Sequence, residues 1–133
     1  MAGVTSADIA TVPLFASLGE PELADVAGWF EVKEVGPGVR LIGEGATGYA
    51  FFVLVAGGVE VTASGERLAS LGPSEFFGEV ALLGKGRRTA TVTTTAPSRV
   101  LVMFGEDFSR LRTEYPAVAG EIDATMARRL DRA

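Results

Sequence analysis

The sequence predicts a mainly β domain of antiparallel strands with helical segments at both ends. Between residues 29 and 104, short apolar or alternating runs recur at regular intervals, separated by Gly, Pro and Ser signals. A half-buried strand alternates because successive side chains point to opposite faces, and glycine and proline mark where the chain reverses. Residues 5–28 and 105–133 instead space their apolar residues at the period of a helix. No repeat, low-complexity tract or interdomain linker interrupts the 133 residues, and 47% hydrophobic content suffices for a core, so 1–133 is taken as a single domain.

At the N-terminus, Thr5 or Ser6 is placed to cap a turn over Asp8-Ile9-Ala10. Pro21 suits a second helix start, with Leu23, Val26 and Ala27 on one face. Trp29 to Val35 is expected as a strand, Gly36-Pro37-Gly38 as a turn, and Val39 to Ile42 as the next strand. Gly43-Glu44-Gly45 turns the chain again, and Tyr49 to Val55 is apolar enough for a strand buried on both faces. Gly57-Gly58 and Ser64-Gly65 suggest hairpins on either side of Val59 to Ala63, whose alternation puts Val59, Val61 and Ala63 on one face; Arg67 to Leu71 follows. With Arg88 to Thr95 and Ser98 to Phe104, split by Ala96-Pro97, the total is about seven or eight strands, a rhythm that suits a sandwich, jelly roll or barrel. From Gly105 the period turns helical, with Phe108, Leu111 and Arg112 preceding Tyr115-Pro116. Val118, Ile122, Met126, Arg129 and Leu130 then line a last amphipathic helix. Trp29, Phe51, Phe52 and Phe104 are expected in the core or in helix packing, and the threonines of 91–95 on the surface as strand formers.

Composition excludes several classes of function. The net charge of −5 and pI near 4.7 oppose nucleic-acid binding by this chain, which would need a basic stripe to displace counterions. Cys and His are absent, which removes disulfides, thiolate or imidazole metal ligands, Cys and His nucleophile systems and an imidazole base. No metal site, cofactor or catalytic residue is expected, and the chain is not expected to be an enzyme. Glu106, Asp107, Glu114 and Glu121 belong to the solvated face of the C-terminal helical region. The N-terminal stretch lacks the basic residues of a secretory signal, and the apolar run from Tyr49 to Gly58 is far shorter than the roughly 20 residues that span a bilayer. Ten arginines against two lysines, with abundant Ala, Gly and Val, point to a GC-rich bacterial genome and a cytoplasmic protein.

One stretch carries chemistry. Residues 75–93 place Gly78 and Glu79 ahead of a short apolar turn and follow it with Arg87-Arg88 at the start of a threonine-rich strand. The first amides of such a turn lack internal acceptors and favour an anion, and Gly78 would let one approach. Arg88 supplies a planar fork for phosphate oxygens, while Gly84 and Gly86 let the loop fold back. The stretch suits a small phosphate ester. Adjacent strand residues face opposite ways, so Arg87 is expected to point to solvent if Arg88 points inward. Lys85 is a loop charge and Glu44 a turn residue.

With strands between helices and this loop in the middle, the chain resembles the cyclic nucleotide-binding domain family, an antiparallel β jelly roll with N-terminal and C-terminal helices. The specific resemblance is Phe77-Gly78-Glu79-Val80-Ala81-Leu82-Leu83 followed by Arg88-Thr89-Ala90-Thr91-Val92, which matches the family's phosphate-binding cassette (77–92) without gap or insertion. Gly36-Pro37-Gly38, Gly43-Glu44-Gly45 and the run through Gly57-Gly58-Val59-Glu60-Val61 support it.

The resemblance implies a ligand, cAMP or cGMP, with cAMP favoured. Glu79 would accept the ribose 2′-OH, the one sugar hydroxyl that the cyclic phosphate leaves free. Arg88 would neutralise the phosphate, helped by the amides of Ala81 and Leu82, with Gly78, Val80 and Ala90 completing the cassette. Thr89 would serve either a phosphate oxygen or a guanine amine. Val61 and Ala69 would support the base, and Met126, Arg129 and Leu130 on the last helix are lid candidates. The domain would act as a sensor for an unseen protein effector, through movement of its C-terminal helix. A homodimer is a further expectation. Two alternatives remain at this point: a nucleotide-independent interaction or dimerisation module, whose mark would be replacement of Glu79 or Arg88, and the sensor fragment of a transcription regulator or ion channel.

Overall fold

The computed structural model describes residues 4–42, 50–78 and 90–131. Three short helical elements lead: α1 (Ser6–Ala10), a 3-10 turn (Pro13–Phe15) and α2 (Glu20–Ala27). At the start of α1 the Asp8 carboxylate accepts both the Thr5 backbone N–H (2.7 Å) and the Thr5 hydroxyl (3.1 Å). The N–H groups of Trp29 and Phe30 still donate back to Val26 and Ala27 of α2, so the first strand begins at Glu31 and not at Trp29.

Eight strands follow among the described residues: β1 (Glu31–Val35), β2 (Arg40–Ile42), β3 (Ala50–Ala56), β4 (Val59–Ala63), β5 (Glu66–Leu71), β6 (Phe76–Phe77), β7 (Thr91–Thr94) and β8 (Ser98–Phe104). They form two four-stranded antiparallel sheets, ordered β1-β8-β3-β6 and β2-β7-β4-β5. The fold is a jelly roll with helices at both ends. α3 (Gly105–Glu114) and α4 (Pro116–Asp131) close the chain.

The alternation of β8 divides the core in two. Leu101 and Met103 join Ile9, Phe15, Val26, Phe51, Phe108, Leu111, Val118 and Ile122 in a cluster between the first sheet and the helices. Val100 and Val102 face the other way, into a cluster between the sheets with Ile42, Phe52, Leu54, Val59, Phe77 and Val92. β3 is buried on both faces, as its continuous apolar run implies.

Three local expectations change. Gly57-Gly58 is not a hairpin: β3 and β4 lie in different sheets, and the turn crosses between them. Gly57 holds φ +97°, and a Cβ there would run into the Pro97 carbonyl oxygen at 2.6 Å, so only glycine fits. Ser64-Gly65 is the true hairpin turn, both residues having positive φ (52° and 80°) as a tight β4–β5 connection requires. Among the threonines of β7, Thr94 is buried (2% exposed), not on the surface. It shares the inward face with Val92, and its hydroxyl is satisfied by donation to the Gly36 carbonyl (2.7 Å) and acceptance from the Val39 N–H (2.8 Å). Phe51 and Phe52 are core residues, whereas Phe104, expected among them, is 46% exposed because it ends β8 and caps α3 where the chain leaves the sheet.

Candidate functional site

The cassette joins the two sheets. It leaves the first sheet through β6, where Gly78 takes φ +97°, a conformation that glycine adopts without penalty, and it re-enters the second sheet at β7 after a bend at Ala90. Glu79, Val80, Ala81, Leu82, Arg88 and Thr89 lie outside the described residues, as do Arg87, Lys85 and Glu44. What the structure defines is the frame at both ends of that segment.

On the β7 side, cross-strand pairing builds a continuous apolar row. Ile42 pairs with Val92, Val92 with Val61, and Val61 with Ala69, so one residue from each strand of the second sheet faces the space between the sheets. Burial falls along it: Ile42 and Val92 are 6% and 4% exposed, whereas Val61 and Ala69 are only partly covered. The row is closed at the β2 end and open at the β5 end. Val61 and Ala69 are therefore brought together as direct cross-strand neighbours, one and two strands over from β7 where the cassette exits, with part of their apolar surface accessible.

The β6 side explains a doubled phenylalanine. In a strand, neighbouring side chains face opposite ways. Phe77 points between the sheets and stacks on Phe52 with centroids 5.0 Å apart and planes within 5°. Phe76 points to the helical layer and contacts Phe51 at 5.5 Å, which in turn meets Phe108 of α3 at 4.9 Å. The entry to the cassette is thus fixed by one ring in each core.

Of the lid candidates, Met126 is partly buried on α4, and the Leu130 side chain lies outside the described residues. Arg129 reaches the first sheet: its Nη2 donates to the Phe76 carbonyl at 2.6 Å, and its guanidinium lies 5.1 Å from the centre of the Phe76 ring. Phe76 was not singled out in the sequence; the signal that would have found it is the Phe-Phe pair immediately before Gly78, where one ring must face the helices.

A second cluster sits at the joint between α3 and α4. Trp29 lies 6.2 Å from Tyr115, and the Arg110 guanidinium covers the Trp29 ring at 4.3 Å while pairing with Glu114 at 2.8 Å. Burial, followed by the charges of Asp25, Glu114 and Glu22, raises the Tyr115 hydroxyl above its ordinary pKa, so the ring stays neutral. The Glu114 hydrogen bond raises the pKa of Arg110. Neither group offers a general acid or base near neutrality. At the far end of the first sheet, a shallow groove lined by Glu34, Gly36, Pro97 and Arg99 lies away from the cassette. Among the described residues, no group of three or more acidic, His or Cys side chains is arranged to hold a metal ion, and no helix is long and apolar enough to cross a membrane.

Comparison with known proteins bears on this frame directly. The family model described as the cyclic nucleotide-binding domain matches residues 32–115, which includes the whole cassette. The chain is 33% identical over 123 residues to the cyclic AMP receptor protein of Thermus thermophilus, covering 89% of this chain and 57% of that protein. It is 38% identical over 102 residues to the cAMP-dependent protein kinase regulatory subunit of Yarrowia lipolytica, covering 75% of this chain and 27% of that one. The chain thus spans about half, or less, of the length of these curated relatives. Among solved structures, a putative cyclic nucleotide-binding protein from Geobacter metallireducens superposes with a TM-score of 0.79 at 24% identity, covering 96% of each chain. The matched span, the identity to the Thermus protein and the two-sheet frame agree: this chain belongs to the cyclic nucleotide-binding domain family.

Proposed function

We propose that the chain is a cytoplasmic sensor domain that binds a cyclic nucleotide, cAMP in the first place and cGMP as the alternative, and passes its occupancy to a protein effector through α4. The observation that carries this reading is the family match across residues 32–115, within which Gly78, Glu79, Arg88 and Thr89 all keep the residue types that the chemistry requires. Arg88 pairs with the cyclic phosphate as a charged fork, Glu79 accepts the ribose 2′-OH, and the amides of Ala81 and Leu82 add dipolar donors. The exposed end of the apolar row, Val61 and Ala69, gives the purine a surface to rest on. In the nucleotide-bound form Met126 and Leu130 of the last helix would cover the base. Two of the relatives carry cAMP in their names, which favours that nucleotide. Binding shifts a closed and an open form by the ligand's difference in affinity for the two.

Titration of the purified protein with cAMP and cGMP by calorimetry tests the reading. Hydrogen bonds to charged groups contribute about 1.5–3 kcal/mol, so Arg88→Ala is expected to weaken binding at least about tenfold, and Glu79→Ala somewhat less. Binding of neither nucleotide below about 1 mM, or an Arg88→Ala variant that binds as wild type, would overturn it. Thr89→Ala separates two roles: loss confined to cGMP puts the hydroxyl on the guanine, and equal loss of both puts it on the phosphate.

A further inference from the structure

α4 is held in two different ways along its length. Its first half is packed: Val118 and Ile122 are fully buried, and Asp123 takes Arg112 Nη1 at 2.8 Å and Nη2 at 3.3 Å. Towards its end Ala127 and Arg128 are exposed, and Arg129 reaches back 53 residues in sequence to β6. The acceptor it finds is a consequence of strand geometry. Carbonyls alternate direction along a strand, and that of Glu75 points to β3, where it accepts the Leu54 N–H at 2.9 Å. The Phe76 carbonyl therefore points away from β3, at the edge of the sheet, where Arg129 meets it. The same guanidinium lies against the Phe76 ring, so both its donor edge and its face are engaged.

We propose that Arg129 is a positioning residue: it latches the last turns of α4 to the edge of β6, two residues before Gly78, and so couples the C-terminal helix to the entry of the cassette. Its part in nucleotide recognition is exerted through that contact and not by capping the purine. The coupling to ligand rests on the sensor reading; the latch itself does not.

Hydrogen exchange on nucleotide-free protein tests the latch, because exchange reads opening segment by segment. In Arg129→Gln, amides of 125–131 and 74–78 are expected to exchange about three- to tenfold faster than in wild type, with 116–123 unchanged. Arg129→Lys keeps the charge but loses the planar fork, and is expected to follow Arg129→Gln. Unchanged exchange in 125–131, uniform acceleration along all of α4, or wild-type behaviour of the Lys variant would overturn the proposal. Titration of Arg129→Gln with cAMP and cGMP is expected to shift both affinities by the same factor; a shift in only one means a base contact and overturns the positioning role. If wild type binds neither nucleotide, the sensor reading fails and the exchange result alone decides the latch.

Discussion

Thr94 shows what a single side chain can hold in this fold. Its backbone exchanges hydrogen bonds with the turn after β1, donating to the Val39 carbonyl and accepting from the Gly38 N–H, and its hydroxyl bridges Gly36 and Val39 on the same turn. That turn carries the chain from one sheet to the other, so the hydroxyl fixes how the two sheets are joined. Thr94→Val keeps the shape but leaves the Gly36 carbonyl and the Val39 N–H without their partner. The expected cost is about 1–3 kcal/mol, measured as a lower denaturant midpoint with an unchanged slope. A variant as stable as wild type would show that water replaces the hydroxyl without loss. Sequence alone gave no access to this role. Propensity placed Thr94 on a strand, but which face it takes depends on a turn some 58 residues away in sequence.

At the scale of elements, α1 is a five-residue helix, too short to persist on its own, and survives by packing Ile9 into the core and by the Asp8 cap. The Thr5 backbone N–H, with its hydroxyl in support, holds the Asp8 carboxyl below the usual value of 3.8. A group whose folded pKa is depressed contributes stability above its unfolded value, and that stability is lost as pH falls through the folded one. Asp8→Ala is therefore expected to be less stable than wild type near pH 7, by about 0.5–1 kcal/mol, with the difference closing as the pH drops below 3.8. Thermal melts of both proteins at several pH values measure it; a gap that persists at pH 2 would assign the effect to packing. The helices and most strands were legible because their signals are local: caps, alternation, Pro21, the Ser64-Gly65 turn. The Gly57-Gly58 crossing was not, because a glycine pair marks a reversal without saying whether the next strand pairs with the last. For the site, the resemblance supplied Glu79, Arg88, Val61 and Ala69; that Val61 and Ala69 are cross-strand neighbours comes from the β4–β5 register, and the Arg129–Phe76 contact joins residues that no sequence period connects.

At the scale of the whole molecule, a chain of aromatic contacts among the described residues links the parts that the proposed sensor would have to couple. Phe108 of α3 meets Phe51 of β3, Phe51 meets Phe76 of β6, and Phe76 takes Arg129 of α4. Since α3 and α4 are consecutive, the path closes on itself through the joint at Tyr115-Pro116. Proline there breaks the helical run, which makes the joint the natural pivot for any movement of α4. Trp29 is the one tryptophan in the sequence, and it lies in tilted contact with Tyr115 and against the Arg110 guanidinium, so its fluorescence reads that pivot without any added label. If nucleotide binding moves α4 about Tyr115, Trp29 emission is expected to change on titration with cAMP, with a midpoint equal to the calorimetric Kd. The same change in Arg88→Ala should then need at least about tenfold more nucleotide. Constant emission at a nucleotide concentration that saturates the calorimetric signal would show that the α3–α4 joint stays fixed, and the signal would then have to leave the domain by a route other than this pivot.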